Sequence, residues 1–167
     1  MGDEFVDFLL ARRSVRRFTD APVTQEHLEL ATRAGQRAST SSWIQGMTLI
    51  HVADPALKAQ LCEVGGVGQQ QNIESGALLV ICADCRRHEL IAKQAGVDFS
   101  PNLETFLLGV IDASLFLERF CAALEALGYG CCYCGGMRNF LPAVTVCIQI
   151  SMNFVFKMMD FPFKMII

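Results

Sequence analysis

Apolar residues at Phe5, Phe8 and Leu9 repeat at the spacing of one helical face, which predicts a short helix at the amino end. Thr19-Asp20-Ala21-Pro22 is a turn signal. Thr24 then suits the cap of a second helix, with Leu28, Ala31, Gly35 and Ala38 along one face. A hydroxyl run, Ser39 to Ser42, follows. Residues 47–53 alternate weakly and are rich in branched side chains, which predicts a strand. Asp54-Pro55 starts a third helix, with Leu57, Leu61 and Val64 inward and Gly65-Gly66 closing it. The continuous apolar run 77–83 predicts a central strand covered on both faces. Residues 84–95 form a helix and 97–102 a loop. From Leu103 a long helix runs to Leu127, with Leu107, Ile111, Ser114, Leu115 and Leu124 as its buried candidates and Gly128 as its C-cap. Asp112 sits inside that apolar stripe and needs a partner. Residues 129–136 predict a strand ending in a glycine turn, and Met137 opens a short helix.

Composition narrows the functional classes. The chain has 167 residues, 52% of them hydrophobic, with a mean hydropathy of +0.35. One domain with a sizeable core fits that length. The excess of apolar residues predicts an interface, most simply a homodimer. A formal net charge of −3 provides no global attraction to nucleic acid. The acidic amino end lacks a secretory pattern, so a cytoplasmic location and reduced thiols are expected for its 8 cysteines. Residues 140–156 are the most apolar stretch, but polar residues and Pro142 interrupt them, so no membrane helix is expected.

Against this acidic background, Arg12, Arg13, Arg16 and Arg17 fall in one short stretch after the first helix. Arg12 and Arg16 share a side whether the segment is helical or extended, and Ser14 adds a hydroxyl. Guanidinium forks beside a hydroxyl can receive a phosphate, and a solvated basic surface is the alternative. The loop at 67–72 carries Gln69, Gln70 and Gln71, whose amides can pair with a flat heterocycle or simply face solvent. Gly135 and Gly136 allow close backbone approach to a ligand. Cys82 and Cys85, with Cys131, Cys132 and Cys134, invite a zinc reading, but their placement in strand patterns favours packing. His27, His51 and His88 have no ligand spacing, and no acid–base triad is visible.

Taken in order, Arg-Arg-Ser-Val-Arg-Arg-Phe-Thr-Asp-Ala-Pro (12–22), Ala-Ser-Thr-Ser-Ser-Trp-Ile-Gln (38–45), the Gly- and Gln-rich loop (65–71) leading to Leu-Val-Ile-Cys-Ala-Asp (79–84), Gly-Val-Ile-Asp-Ala-Ser (109–114), and Ala-Leu-Gly-Tyr-Gly (126–130) with Tyr-Cys-Gly-Gly-Met-Arg-Asn (133–139) resemble the FMN-dependent nitroreductase superfamily. The likeness is to its NADPH-dependent flavin reductase and oxygen-insensitive nitroreductase branch. It implies an α+β fold, a mixed sheet flanked by helices, with the long central helix at a homodimer interface. It also implies FMN as cofactor, NAD(P)H as donor and a ping-pong reduction of nitroaromatics, quinones or flavins. By the same resemblance Arg12, Arg13, Ser14 and Arg16 hold the FMN phosphate. Thr40 and Ser41 contact the ribityl chain or ring, and Gln69 offers an amide near the flavin. Tyr133, Cys134, Gly135 and Gly136 lie along the isoalloxazine. No residue is assigned a catalytic acid–base role and no metal is expected.

The resemblance covers residues 1–145. Residues 146–167 form an atypical Met- and Phe-rich tail without the glycine-rich strand, basic contacts and arm the family carries there. Weakened flavin binding and lost dimer area are the expected consequences. A truncated remnant with little flavin affinity is therefore the competing reading, and a phosphate- or nucleic-acid-binding module the weaker third.

Overall fold

A computed structural model describes residues 2–19, 21–64 and 74–152. Among the described residues six α-helices and two strands follow in order: α1 (Gly2–Leu10), α2 (Gln25–Gly35), β1 (Met47–Val52), α3 (Pro55–Val64), β2 (Leu78–Ala83), α4 (Arg86–Ala95), α5 (Leu103–Ala126) and α6 (Leu141–Met152). Short 3-10 turns occupy Ser41–Trp43 and Gly135–Phe140. The class is mixed α+β, mostly helical around a small sheet. None of the described helices is long and apolar enough to cross a membrane.

Local chemistry sets most of these ends. The Thr24 hydroxyl accepts the His27 amide and caps α2. Asp54 accepts the Ala56 amide at the start of α3. Asn102 and Thr105 form a reciprocal capping box at the start of α5. Gly128, at φ +91°, ends that helix in a conformation only glycine adopts freely.

β1 and β2 pair antiparallel, from Met47 opposite Ala83 to Val52 opposite Leu78. Because successive side chains alternate, the pair has two apolar faces. On one, Val52, Leu78, Val80 and Cys82 pack with Leu57, Leu61 and Cys62 of α3, Met137, and Val144 and Cys147 of α6. On the other, Ile81 packs with Leu28 and Ala31 of α2 and with Ala113, Phe116, Leu117, Phe120 and Leu124 of α5. The expected two-sided burial of residues 77–83 is therefore present. α5 meets α2 where Gly35 lies flat against the Phe116 ring.

Two expectations need correction. The buried face of α5 is Gly109, Asp112, Ala113, Phe116, Leu117, Phe120, Cys121 and Leu124. Of the five candidates only Leu124 belongs to it; Leu107, Ile111, Ser114 and Leu115 are exposed. The helix is apolar nearly all round, so periodicity alone could not say which side α2 and β2 would cover. Residues 129–134 are also not a strand. A strand needs a neighbouring backbone to complete its ladder. Among the described residues one backbone bond ties this segment to a distant stretch, from the Val15 amide to the Cys131 carbonyl at 3.0 Å. A cavity of about 170 Å³ separates the segment from Leu78–Val80. Helix α6 runs unbroken past residue 145, and the tail beyond Met152 lies outside the described residues.

Two tests of this core follow. Gly35→Ala would put a carbon 2.8 Å from the Phe116 ring, and we expect it to cost about 1–3 kcal/mol by urea unfolding. The buried Cys82 thiol is pushed up to about 12, by burial first and the charge of Asp84 second. Its neutral form is favoured in the folded state, so that contribution is whole below the ordinary value of 9.0 and fades as pH rises towards 12. Unfolding compared at about pH 8 and about pH 11 should show Cys82→Ala losing less stability than the parent, with at most about 1.4 kcal/mol per pH unit attributable to this group.

Candidate active site

Past the end of α1 the chain turns back along residues 130–133. The Val15 amide donates to Cys131, and Gly130 is flush against the Val15 side chain, where a Cβ would fall 2.6 Å from it. The Arg12 guanidinium carbon lies 5.2 Å from the centre of the Tyr133 ring, a cation–π contact. Its Nε stands 3.9 Å from Glu125 Oε1 on α5. Its Nη2 is buried and has no hydrogen-bond partner among the described residues. The Tyr133 hydroxyl donates to Glu118 Oε2 at 2.7 Å. The arginine segment and the Tyr133 segment thus share one end of α5.

Electrostatics at this end are set by burial and by the crowding of Glu118, Cys121 and Glu125. Burial raises the Glu125 carboxyl, Arg12 opposes that, and Glu118 adds to it. The Tyr133 hydroxyl is held well above its usual range, by burial first and then by the charge of Cys121. A hydrogen bond with Cys131 pulls the Cys121 thiol down against its burial, while the same contact drives Cys131 up. All 8 cysteines are free thiols, and no cluster of three or more potential metal ligands occurs among the described residues.

Thr40 and Ser41 sit elsewhere. The Thr40 hydroxyl donates to Asp112 Oδ2 at 2.6 Å and accepts the Gln45 amide at 2.8 Å. Ser41 is exposed in the adjoining 3-10 turn. Asp112 and Glu125 are separated along α5 by roughly 20 Å of helical rise. In one chain, then, the hydroxyl loop and the arginine segment lie at different levels of the same helix.

Of the other expected positions, Arg13, Ser14 and Arg16 are exposed, and Cys134 is half-buried. Gly135 and Gly136 open a 3-10 turn, where the Arg138 guanidinium already occupies the space a Gly135 Cβ would need, 2.8 Å away. Gln69 lies outside the described residues. Glu118, Cys121 and Glu125 were not singled out as partners of this site. Their spacing of three and four places them on one helix face, which was legible once Tyr133 and Arg12 were suspected.

Residues 9–153 match the nitroreductase family. The chain belongs to that family. The FMN reductase (NADPH) of Bacillus subtilis strain 168 is 37% identical over 147 residues, which are 86% of this chain and 59% of that protein. The oxygen-insensitive NADPH nitroreductase of Salmonella typhimurium strain LT2 is 34% identical over 145 residues, 87% of this chain and 59% of that one. Among solved structures, the NfrA1 nitroreductase from B. subtilis superimposes with a TM-score of 0.83 at 37% identity, over 86% of this chain and 59% of that one. The NADPH:FMN oxidoreductase from Vibrio harveyi, complexed with NAD+, gives 0.78 at 31% identity, over 87% and 61%. The chain thus spans between 59% and 61% of the length of these proteins.

The residues present at the first segment fit a phosphate-bearing group. Arg12 has a buried nitrogen without an acceptor among the described residues, and Arg13, Ser14 and Arg16 are exposed beside it in sequence. Arg12 itself is divided: part of its guanidinium is committed to Glu125 and Tyr133.

The contact between the two segments is open to a direct test. Gly130→Ala would place a carbon 2.6 Å from the Val15 side chain. Residues 12–16 must then move off, and the Val15 amide should exchange with solvent markedly faster while the fold persists, at a cost of about 1–3 kcal/mol.

Proposed function

We propose that this chain forms the flavin-holding part of an FMN-dependent NAD(P)H oxidoreductase that reduces nitroaromatics, quinones or flavins. The observation carrying the proposal is the docking of the arginine segment on residues 130–133, with Arg12 Nη2 left in need of an anionic acceptor. Relatives named as an NADPH-dependent FMN reductase and a nitroreductase support it.

FMN, when bound, supplies hydride acceptance from a nicotinamide and onward electron transfer. The chain's own residues bind and orient. Arg12, Arg13, Ser14 and Arg16 would grip the phosphate through charge-assisted hydrogen bonds. Glu125 and Tyr133 keep the Arg12 plane in place. Tyr133, Cys134, Gly135 and Gly136 would line the ring, with Thr40 and Ser41 contacting the cofactor from the other level of α5. No side chain here is asked to move a proton, in keeping with a ping-pong cycle in which donor and acceptor use one slot in turn.

Two copies would bring those levels together. Leu103, Leu107, Ile111 and Leu115 form an exposed apolar stripe along α5. In a homodimer with antiparallel α5 helices, the hydroxyl loop of one copy would approach the arginine segment of the other. Free thiols throughout suit a reducing, cytoplasmic setting.

Quenching of FMN fluorescence on titration with the purified protein tests the site. Binding should saturate at one flavin per chain, and Arg13→Ala with Arg16→Ala should weaken it by about tenfold or more. A protein that neither quenches FMN nor oxidises NADPH with added FMN and a quinone would refute the proposal. Sedimentation should show a dimer that Ile111→Glu with Leu115→Glu converts to monomer.

A further inference from the structure

The loop between Thr40 and Gly46 is held in an uncommon conformation. Ser42, Trp43 and Gln45 have φ of 50°, 59° and 51°, in the left-handed region that non-glycine residues seldom adopt. Such conformations persist only where the surroundings over-determine them. The surroundings here are specific. Asp112, only 4% exposed, accepts the Thr40 hydroxyl and the Gly46 amide on one oxygen, Oδ2, the latter at 2.9 Å. Thr40 passes the connection on by accepting the Gln45 amide. From the other side Arg87 donates to the Ile44 and Gln45 carbonyls at 3.0 and 2.9 Å. Gly46 also accepts the Asp84 amide at 2.9 Å, and its backbone lies against Gly109, where added carbons would fall within 3.1–3.3 Å.

We propose that Asp112 is a positioning residue, whose buried carboxylate, acting through Thr40 and Gly46, locks the 40–46 loop so that Thr40 and Ser41 present a fixed face to the flavin. The flavin part of this statement rests on the reading in the preceding subsection; the locking does not. The geometry explains why an acid stands in the apolar face of α5. A buried carboxylate accepts two donors at once from a segment that otherwise has no regular structure to satisfy them. The other oxygen, Oδ1, is buried without a hydrogen-bond partner among the described residues, so an asparagine can keep its carbonyl oxygen on the loop; a side chain with no acceptor, as in Asp112→Ala, breaks both bonds.

Trp43 makes the locking observable without any ligand. It is the only tryptophan in the chain, and at 76% exposure it rides on the loop. Time-resolved anisotropy of Trp43 in the flavin-free protein should show faster local motion in Asp112→Ala and in Thr40→Val. The double variant should loosen Trp43 by less than the sum of the two single effects, because both remove the same Thr40–Asp112 bond. Thr40→Ser, which keeps the hydroxyl, should behave as the parent. Ser114→Ala on the exposed face of α5 serves as the control and should leave Trp43 unchanged. In the same variants, FMN should bind about tenfold or more weakly, with Thr40→Ser again restored.

If Asp112→Ala and Thr40→Val fold and leave Trp43 motion unaltered, the locking role is wrong. Should Asp112→Ala fail to fold, Thr40→Val against Thr40→Ser decides the same question. Loosened Trp43 with unchanged FMN affinity would uphold the lock and refute contact between this loop and the flavin.

Discussion

The burial of one face of α5 between α2 and the sheet is the contact on which everything else depends. Phe116 and Phe120 fill the space between Ile81 and the small residues Ala31 and Gly35. A ring can lie that close to a helix only where the helix offers no side chain. Apolar burial of this extent is the main favourable term in a domain of this size. It fixes the rotation of α5 about its own axis, and that rotation decides where each of its polar residues points.

Two polar stations follow from that one rotation. Near its middle, Asp112 turns into the interior and collects the Thr40–Gly46 loop. Near its carboxyl end, Glu118, Cys121 and Glu125 meet Tyr133, Cys131 and Arg12. The same rotation leaves Leu103, Leu107, Ile111 and Leu115 facing outward. A helix with this distribution positions two parts of a candidate cofactor site and leaves an apolar stripe exposed along its first half. The other side of the sheet packs against α3 and α6.

Much was legible in the chain because it depends on neighbours in sequence. Thr24, Asp54, Asn102 and Gly128 act within a few residues of themselves, so the starts of α2, α3 and α5 and the end of α5 could be read directly. The run at 77–83 was legible because a strand buried on both faces needs no polar alternation. Asp112 stood out as an acid among apolar residues, and the requirement for a partner held, although the partner, Thr40, lies 72 positions away. By contrast, residues 129–134 hold two tyrosines, a residue type that favours strands, but lack a completed ladder, and composition carries no information on whether a neighbour arrives.

The sequence by itself determined the helices α1 to α5 and both strands, the family, and which segments carry basic, hydroxyl and glycine-rich chemistry, because those properties are set by residue type and by contacts within a turn or two. The tertiary structure alone decided which face of α5 is buried, that Arg12 stacks on Tyr133 and faces Glu125, and that the hydroxyl loop meets Asp112 rather than the arginines. Those outcomes turn on packing between segments tens of residues apart. An α-helix that is apolar on nearly every side can satisfy its own backbone in any rotation, so only its neighbours can choose one.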